Sequence, residues 1–126
     1  MLRIVAKSKI QRPRLTDKHL RYEGSIAVDP KLLELADISE GEMVQVVNVN
    51  NGARFETYTI KGKPGEVCLN GAAARLGEVG DEVIIISYCL LDARELAGHR
   101  LCLVRVDDRN RPVGSSRNPL RKTNRS

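Results

Sequence analysis

Short apolar runs that alternate with polar residues, separated by Gly, Pro, Asn and Asp, dominate this 126-residue chain. Alternation with a period of two predicts β-strands, and the residues between the runs predict tight turns. About seven strands at short spacing favour an all-β fold, a small β-barrel with only short helices. The predicted strands are residues 2–10, 20–29, 43–49, 54–60, 67–70, 83–91 and 101–106.

Local signals predict the connections between these strands. Asp29-Pro30 predicts the start of a helix over residues 31–36, because Asp is a favourable N-cap and Pro fits the first helical position. The Asn-Asn-Gly run at 50–52 predicts a hairpin turn between two strands. Residues 71–77 and 92–98 each have the composition of a single helical turn.

The formal net charge of +5 is concentrated at the C-terminal end of the chain. Residues 107–126 carry six basic and two acidic side chains, whereas the other 106 residues carry fifteen and fourteen. We therefore predict one domain over residues 1–106 and a basic tail over 107–126, for which we expect no regular structure. A basic tail also occurs in proteins that bind polyanions, so a nucleic-acid-binding module is an alternative. The near-neutral body and the 3% aromatic content speak against that alternative.

Cysteine and histidine are too few and too scattered to predict a metal site. The chain has three Cys, none in a C-x-x-C pair, and two His. Cys89 and Cys102 lie in apolar runs, so we expect buried, unreactive thiols in a soluble cytoplasmic protein. The longest apolar stretch is shorter than a membrane-spanning helix, and no signal-peptide pattern is present, so we expect no membrane partner.

The Gly24-Ser25 pair interrupts a predicted strand. Glycine weakens a strand unless it marks a bulge or a close backbone approach, so an ordinary bulge is one interpretation. The other is chemical. Gly24 has no side chain to shield its carbonyl, and the Ser25 hydroxyl could attack that carbonyl and move the acyl group from nitrogen to oxygen. Elimination of the resulting ester would give dehydroalanine and then a pyruvoyl group, and backbone strain could assist the attack.

Two other segments carry candidate chemistry. In NGARFETY, alternation puts Arg54 and Tyr58 on one strand face and Thr57 on the other. A plain polar face is one interpretation, and an arginine fork for a carboxylate beside a proton-donating phenol is another. In NGAAA, the small residues form either a packing turn or a stretch where a ligand could approach backbone N–H groups closely.

Together, YEGS, NGARFETY and NGAAA, followed by VGDEVIII, closely resemble the bacterial aspartate decarboxylase family. The segments occur in the order of that family and at nearly its spacing, from Lys9 to about residue 90. The resemblance implies a double-psi β-barrel, a cytoplasmic homotetramer with active sites between subunits, and spontaneous cleavage between Gly24 and Ser25. The implied reaction converts L-aspartate to β-alanine and CO₂ for pantothenate biosynthesis.

The resemblance also implies a role for individual residues. Ser25 would become the pyruvoyl cofactor that forms a Schiff base with the substrate. Thr57 would stabilise the oxyanion during cleavage and later contact the substrate, and Tyr58 would protonate the carbanion. The remaining implied substrate contacts are the side chains of Arg54 and Lys9, which would hold carboxylates, and the backbone of Gly71, Ala72 and Ala73.

Some positions depart from the family pattern. Gln11 stands where well-known members have His, Val47 stands where some have Trp, and the loop at 61–66 is about two residues shorter than in some members. A third hypothesis is therefore a homologue that has kept the barrel and lost turnover. The joint presence of Lys9, Gly24-Ser25 and the Arg54–Tyr58 segment speaks against it.

Overall fold

The computed structural model describes residues 1–119, which form nine strands, two short α-helices and one short 3-10 helix. The expected all-β class with short helices is confirmed. The strands are β1 Arg3–Gln11, β2 Asp17–His19, β3 Ser25–Val28, β4 Met43–Asn48, β5 Arg54–Lys61, β6 Val67–Asn70, β7 Val83–Leu91, β8 Arg100–Val106 and β9 Pro112–Pro119. The helices are α1 Pro30–Leu35, α2 Ala93–Ala97 and the 3-10 helix Gly71–Leu76.

The nine strands form one sheet of mixed pairing, in the order β2-β6-β3-β5-β4-β7-β1-β8-β9. Three neighbouring pairs are parallel, namely β1 with β8, β2 with β6 and β3 with β5. The other five pairs are antiparallel. The parallel pairs join strands that are not consecutive in sequence, so crossover connections link them.

One apolar cluster fills the interior and draws on almost every element. Its members are aliphatic, which fits a chain with no Trp and one Phe. Burial of such side chains contributes about 25 cal/mol per Å² of apolar surface. The largest members with under 2% exposure are Ile10, Leu15, Ile26, Leu32, Leu69 and Ile85, with Val28, Val44, Val46, Val67, Val83 and Val104.

The predicted helix start is confirmed. Asp29 caps α1 by accepting a hydrogen bond from the Lys31 amide at 2.9 Å, and Pro30 takes the first helical position. The second carboxylate oxygen of Asp29 accepts from the Gly65 amide at 2.8 Å. The same side chain therefore starts the helix and ties it to the loop before β6.

The strand predicted over residues 20–29 was wrong in its first half. Residues 20–24 form a turn, and β3 begins only at Ser25. All four residues of β3 are buried, because β5 and β6 flank it on both edges. Gly24-Ser25 therefore lies where a turn enters a strand and not in the middle of one.

Two strands have no apolar alternation and were not predicted. β2 consists of Asp17, Lys18 and His19 and pairs through its backbone with β6. β9 pairs with β8, so the expectation of no regular structure beyond Asp107 was wrong over residues 112–119. Its side chains are mostly exposed, which is why the pattern gave no signal. The remainder of the expected tail, residues 120–126, lies outside the described residues.

The two cysteines that were expected to be buried differ in their exposure. Cys102 is buried as expected, whereas Cys89 is only half-buried, because it lies near the exposed end of β7. No helix among residues 1–119 is long and apolar enough to cross a membrane.

Asn110 fixes the turn that leads into β9. Its side chain accepts a hydrogen bond from the Arg14 amide at 2.7 Å and donates to the carbonyls of Arg14 at 2.8 Å and Gly65 at 3.0 Å. The residue is 1% exposed and has a φ of 63°, a conformation that Asn tolerates better than most residues. One side chain thus joins three loops of the fold.

We expect Asn110→Ala to lower the free energy of unfolding by about 2–4 kcal/mol, because buried backbone groups lose their partners. Chemical denaturation measures this difference. Asn118→Ala is the matched control, since among residues 1–119 the Asn118 side chain bonds only Ser116 of its own strand, and we expect a loss under about 0.5 kcal/mol. Equal losses in the two variants would contradict the assignment.

Candidate functional site

Ser25 begins β3, and the strand register decides its neighbours. On one edge, Ser25 pairs with Asn70 at the end of β6. On the other edge, Ile26 pairs with Thr59 of β5 in parallel register, so Ser25, at the start of β3, lies opposite Tyr58 in the middle of β5. The sheet therefore brings Ser25 between Asn70 and the Thr57–Tyr58 segment.

The Ser25 hydroxyl is buried and hydrogen-bonded on two sides. It is 3% exposed, accepts from Asn70 Nδ2 at 3.0 Å and donates to the Glu23 carbonyl at 3.4 Å. The contact with Glu23 directs the hydroxyl back toward the Glu23–Gly24 peptide group, on the N-terminal side of Ser25.

Gly71 makes this geometry possible by lacking a side chain. A Cβ on Gly71 would lie 2.7 Å from the Cα and the nitrogen of Gly24 and 2.8 Å from the carbonyl oxygen of Tyr22. Gly71 also has a φ of +66°, which favours glycine. A Cβ on Gly24, by contrast, would meet nothing within 4 Å. The turn before the serine thus packs directly on the backbone at Gly71.

The predicted alternation along β5 is confirmed by exposure. Arg54, Glu56 and Tyr58 are exposed, and Thr57 is half-buried on the other face. Tyr58 is 39% exposed and lies opposite Ser25, in the middle of β5. Thr57 pairs with Val44 of β4 and directly precedes Tyr58.

The two predicted cations do not lie beside Ser25 within one chain. Lys9 is on β1, and three strands separate β1 from β3 in the sheet order. Arg54 begins β5, four residues and about 13 Å of strand before Tyr58, and donates to Gln45 Oε1 at 2.8 Å. Among residues 1–119, no hydrogen bond or strand pair links either cation to Ser25.

The 3-10 helix after β6 carries the other predicted contacts. Gly71 and Ala73 are buried, whereas Ala72 is exposed. Asn70, the residue before this helix, was not predicted as a site residue, although it bonds Ser25. Its role depends on the pairing of β3 with β6, which motif spacing does not reveal.

A cavity of about 610 Å³ lies elsewhere, at the end of β3 opposite Ser25. Asp29, Lys31, Arg109 and Arg111 are among the residues that line it. Because Asp29 follows the last residue of β3, this cavity is separated from Ser25 by the length of the strand, about 13 Å. The candidate site is therefore a buried hydroxyl under a turn and not this cavity.

Comparison with known proteins places the chain in one family. The family model described as "Aspartate decarboxylase" matches residues 1–113. A protein of Kosmotoga olearia named aspartate 1-decarboxylase is 56% identical over 115 residues, which are 90% of this chain and 98% of that protein. A protein of the same name from Thermoanaerobacter pseudethanolicus is 52% identical with the same coverage. A third, from Caldicellulosiruptor saccharolyticus, is 56% identical over 90% of both chains.

None of these comparisons favours the alternative of a nucleic-acid-binding module. The predicted motifs, the position of Ser25 beside Asn70 and Tyr58, and a match over nearly the whole described chain agree with one another. The chain belongs to the aspartate decarboxylase family.

Proposed function

We propose that this protein decarboxylates L-aspartate to β-alanine and CO₂, as an enzyme of pantothenate biosynthesis in the cytoplasm. The observation that carries the proposal is the buried Ser25 hydroxyl, folded back toward the Gly24 peptide in a chain of this family. The relatives are named for this reaction, and the residues around Ser25 supply groups suited to it.

The first chemical event is self-cleavage between Gly24 and Ser25. Ser25 Oγ adds to the Gly24 carbonyl carbon, and the acyl group passes from nitrogen to oxygen. Loss of the Ser25 Cα proton then expels the Gly24 carboxylate, and hydrolysis of the remaining enamine releases ammonia and leaves a pyruvoyl group at residue 25. Thr57 is the hydroxyl that we assign to stabilising the oxyanion formed at Gly24.

The residues around position 25 suit a small ketone. Ser25 is buried, its hydroxyl has a donor directed at it from Asn70, and the preceding Gly24 packs on Gly71. A pyruvoyl group at this position supplies an electron sink for the pair left when CO₂ departs. Cleavage also frees Gly24, which packs over Gly71, so that substrate can reach residue 25.

The chain's own side chains then bind the substrate and move a proton. Tyr58 is exposed opposite residue 25 and donates a proton to the α-carbon after CO₂ has left. Arg54 and Lys9 hold the two carboxylates of aspartate. The backbone of the segment Gly71-Ala72-Ala73 contacts the substrate.

A homotetramer of cleaved chains completes this site. Lys9 and Arg54 do not lie beside Ser25 in one chain, so a neighbouring copy has to supply cations. An exposed apolar face on the sheet supports this arrangement. Ile4 (75% exposed) faces Leu90 (58%) across β1 and β7, and Met43 (62%) faces Tyr58 across β4 and β5.

Ser25→Ala tests the origin of the ketone. The variant lacks the attacking hydroxyl, so we expect one intact 126-residue chain with no aspartate-dependent CO₂ release. Denaturing intact-mass measurement of the unchanged protein should give residues 1–24 and a fragment of 25–126 lighter by one ammonia than a serine-ended chain. Ser115→Ala, at an exposed position of β9, is the matched control and should cleave normally. CO₂ release by intact Ser25→Ala would contradict the proposal.

Tyr58→Phe separates turnover from cleavage. Loss of a general acid lowers the rate by roughly 10²–10⁴-fold, so we expect kcat per cleaved chain to fall by that factor while the 24–25 bond still breaks. Assays of CO₂ release and intact mass measure the two effects. Tyr88→Phe, an exposed tyrosine on β7, should keep most of the activity. Unchanged kcat in Tyr58→Phe would refute the assigned role.

Gly71→Ala tests the packing under the cleavage site. The added Cβ would collide with Gly24, and a displacement of reacting atoms by about 1 Å can slow a reaction by roughly 10²-fold, so we expect cleavage to slow by that order. Gly98→Ala is the control, because a Cβ there meets nothing within 4 Å and φ is −103°. Cleavage of folded Gly71→Ala at the unchanged rate would show that the close approach is not required.

A further inference from the structure

The Asn70 side chain is buried and hydrogen-bonded at both ends. Its Nδ2 donates to Ser25 Oγ at 3.0 Å, and its Oδ1 accepts from the Cys68 thiol at 3.4 Å. Ser25, Asn70 and Cys68 are 3%, 2% and 1% exposed. The Asn70 amide has a donating NH₂ group and an accepting oxygen. A donor that holds the oxygen on one side therefore leaves the NH₂ group on the other side.

Cys68 meets Asn70 as a protonated thiol. Burial, followed by the charges of Glu66 and Asp17, raises the pKa of Cys68 to about 11, so the S–H form is present at neutral pH. The other acceptor within reach of the thiol is the Leu69 carbonyl, at 3.8 Å. The shorter contact to Asn70 Oδ1 makes this oxygen the better acceptor for the thiol proton.

We propose that Cys68 is a positioning residue for self-cleavage, whose thiol holds the Asn70 amide with its N–H directed at Ser25 Oγ. The inference deepens the proposed function and rests on it. If the amide turned over, Oδ1 would face Ser25 and the NH₂ group would face sulfur, a weak acceptor. A hydrogen bond from the Cys68 thiol to Oδ1 favours the orientation in which the NH₂ group faces Ser25.

The orientation matters because negative charge develops on Ser25 Oγ. In the acyl shift, Oγ bonds to the Gly24 carbonyl carbon, the bond from that carbon to nitrogen breaks, and the hydroxyl proton ends on nitrogen. In the elimination, the Cα proton of residue 25 is removed and the Cβ–Oγ bond breaks. Its electron pair stays on Oγ, which leaves as part of the Gly24 carboxylate. An N–H directed at Oγ stabilises this charge, whereas Oδ1 would repel it.

Substitutions at Cys68 test the inference through the rate of cleavage of freshly purified precursor, followed by denaturing intact mass. Cys68→Val fills the space without a donor, and Cys68→Ala removes both bulk and donor. We expect each to slow cleavage by about tenfold, the effect of losing a hydrogen bond of typical strength. Cys68→Ser restores a donor and should recover most of the rate.

Cys102→Val is the matched control, because Cys102 is also buried but donates to the Leu35 carbonyl, away from Ser25. It should lower Tm as Cys68→Val does and leave the cleavage rate unchanged. The inference fails if folded Cys68→Val cleaves at the unchanged rate, or if Cys68→Ser is as slow as Cys68→Val. If Cys68→Ala does not fold, the comparison of Cys68→Val with Cys68→Ser tests the inference without it. An unsubstituted chain that never cleaves would overturn the proposed function as well.

Discussion

The pairing of Ser25 with Asn70 is the constraint on which the candidate site depends. β3 has only four residues, and hydrogen bonds to β5 and β6 hold both of its edges. A slip of one residue would turn every side chain of the strand to the opposite face of the sheet. Because Ser25 is the first residue of that strand, the sheet fixes its backbone, whereas residues 20–24 before it lie in a turn.

Two glycines meet at this point for different physical reasons. Gly71 is required by packing, because any Cβ would overlap the backbone of Gly24 and the φ of +66° disfavours other residues. Gly24 has open space where its Cβ would be, so packing does not explain it. The absence of a side chain at Gly24 is better explained by the access that it gives to the Gly24 carbonyl. The glycine that supports the turn and the glycine that we propose to react are therefore distinct.

The sequence predicted most of the fold because most elements bury an apolar face. β1, β4, β5, β7 and β8 followed from alternation, and α1 followed from its Asp29-Pro30 start. β2 and β9 escaped prediction because backbone hydrogen bonds, and not apolar side chains, hold them in the sheet. Asn110 anchors the turn before β9 through contacts to Arg14 and Gly65, which are distant in sequence.

The candidate site was predictable only in part, for a similar reason. Motifs and family resemblance proposed Ser25, Thr57 and Tyr58 as site residues, and the parallel register of β3 and β5 brings Ser25 opposite Tyr58. Asn70 and Cys68 were missed as site residues, because an antiparallel pairing between strands far apart in sequence brings them to Ser25. No spacing rule connects residues 25 and 70 without that pairing.

The charge of the substrate links this geometry to assembly. Aspartate has two carboxylates, and buried anions need cations or several donors. The side chains that the strand pairing brings beside Ser25 are those of Tyr58 and Asn70, and neither is a lysine or an arginine. In one chain, Lys9 lies beyond three intervening strands and Arg54 lies about 13 Å along β5 from Tyr58. A single chain thus brings a buried hydroxyl and a phenol together, and in the proposed reaction the cations that bind the dianion come from a neighbouring copy.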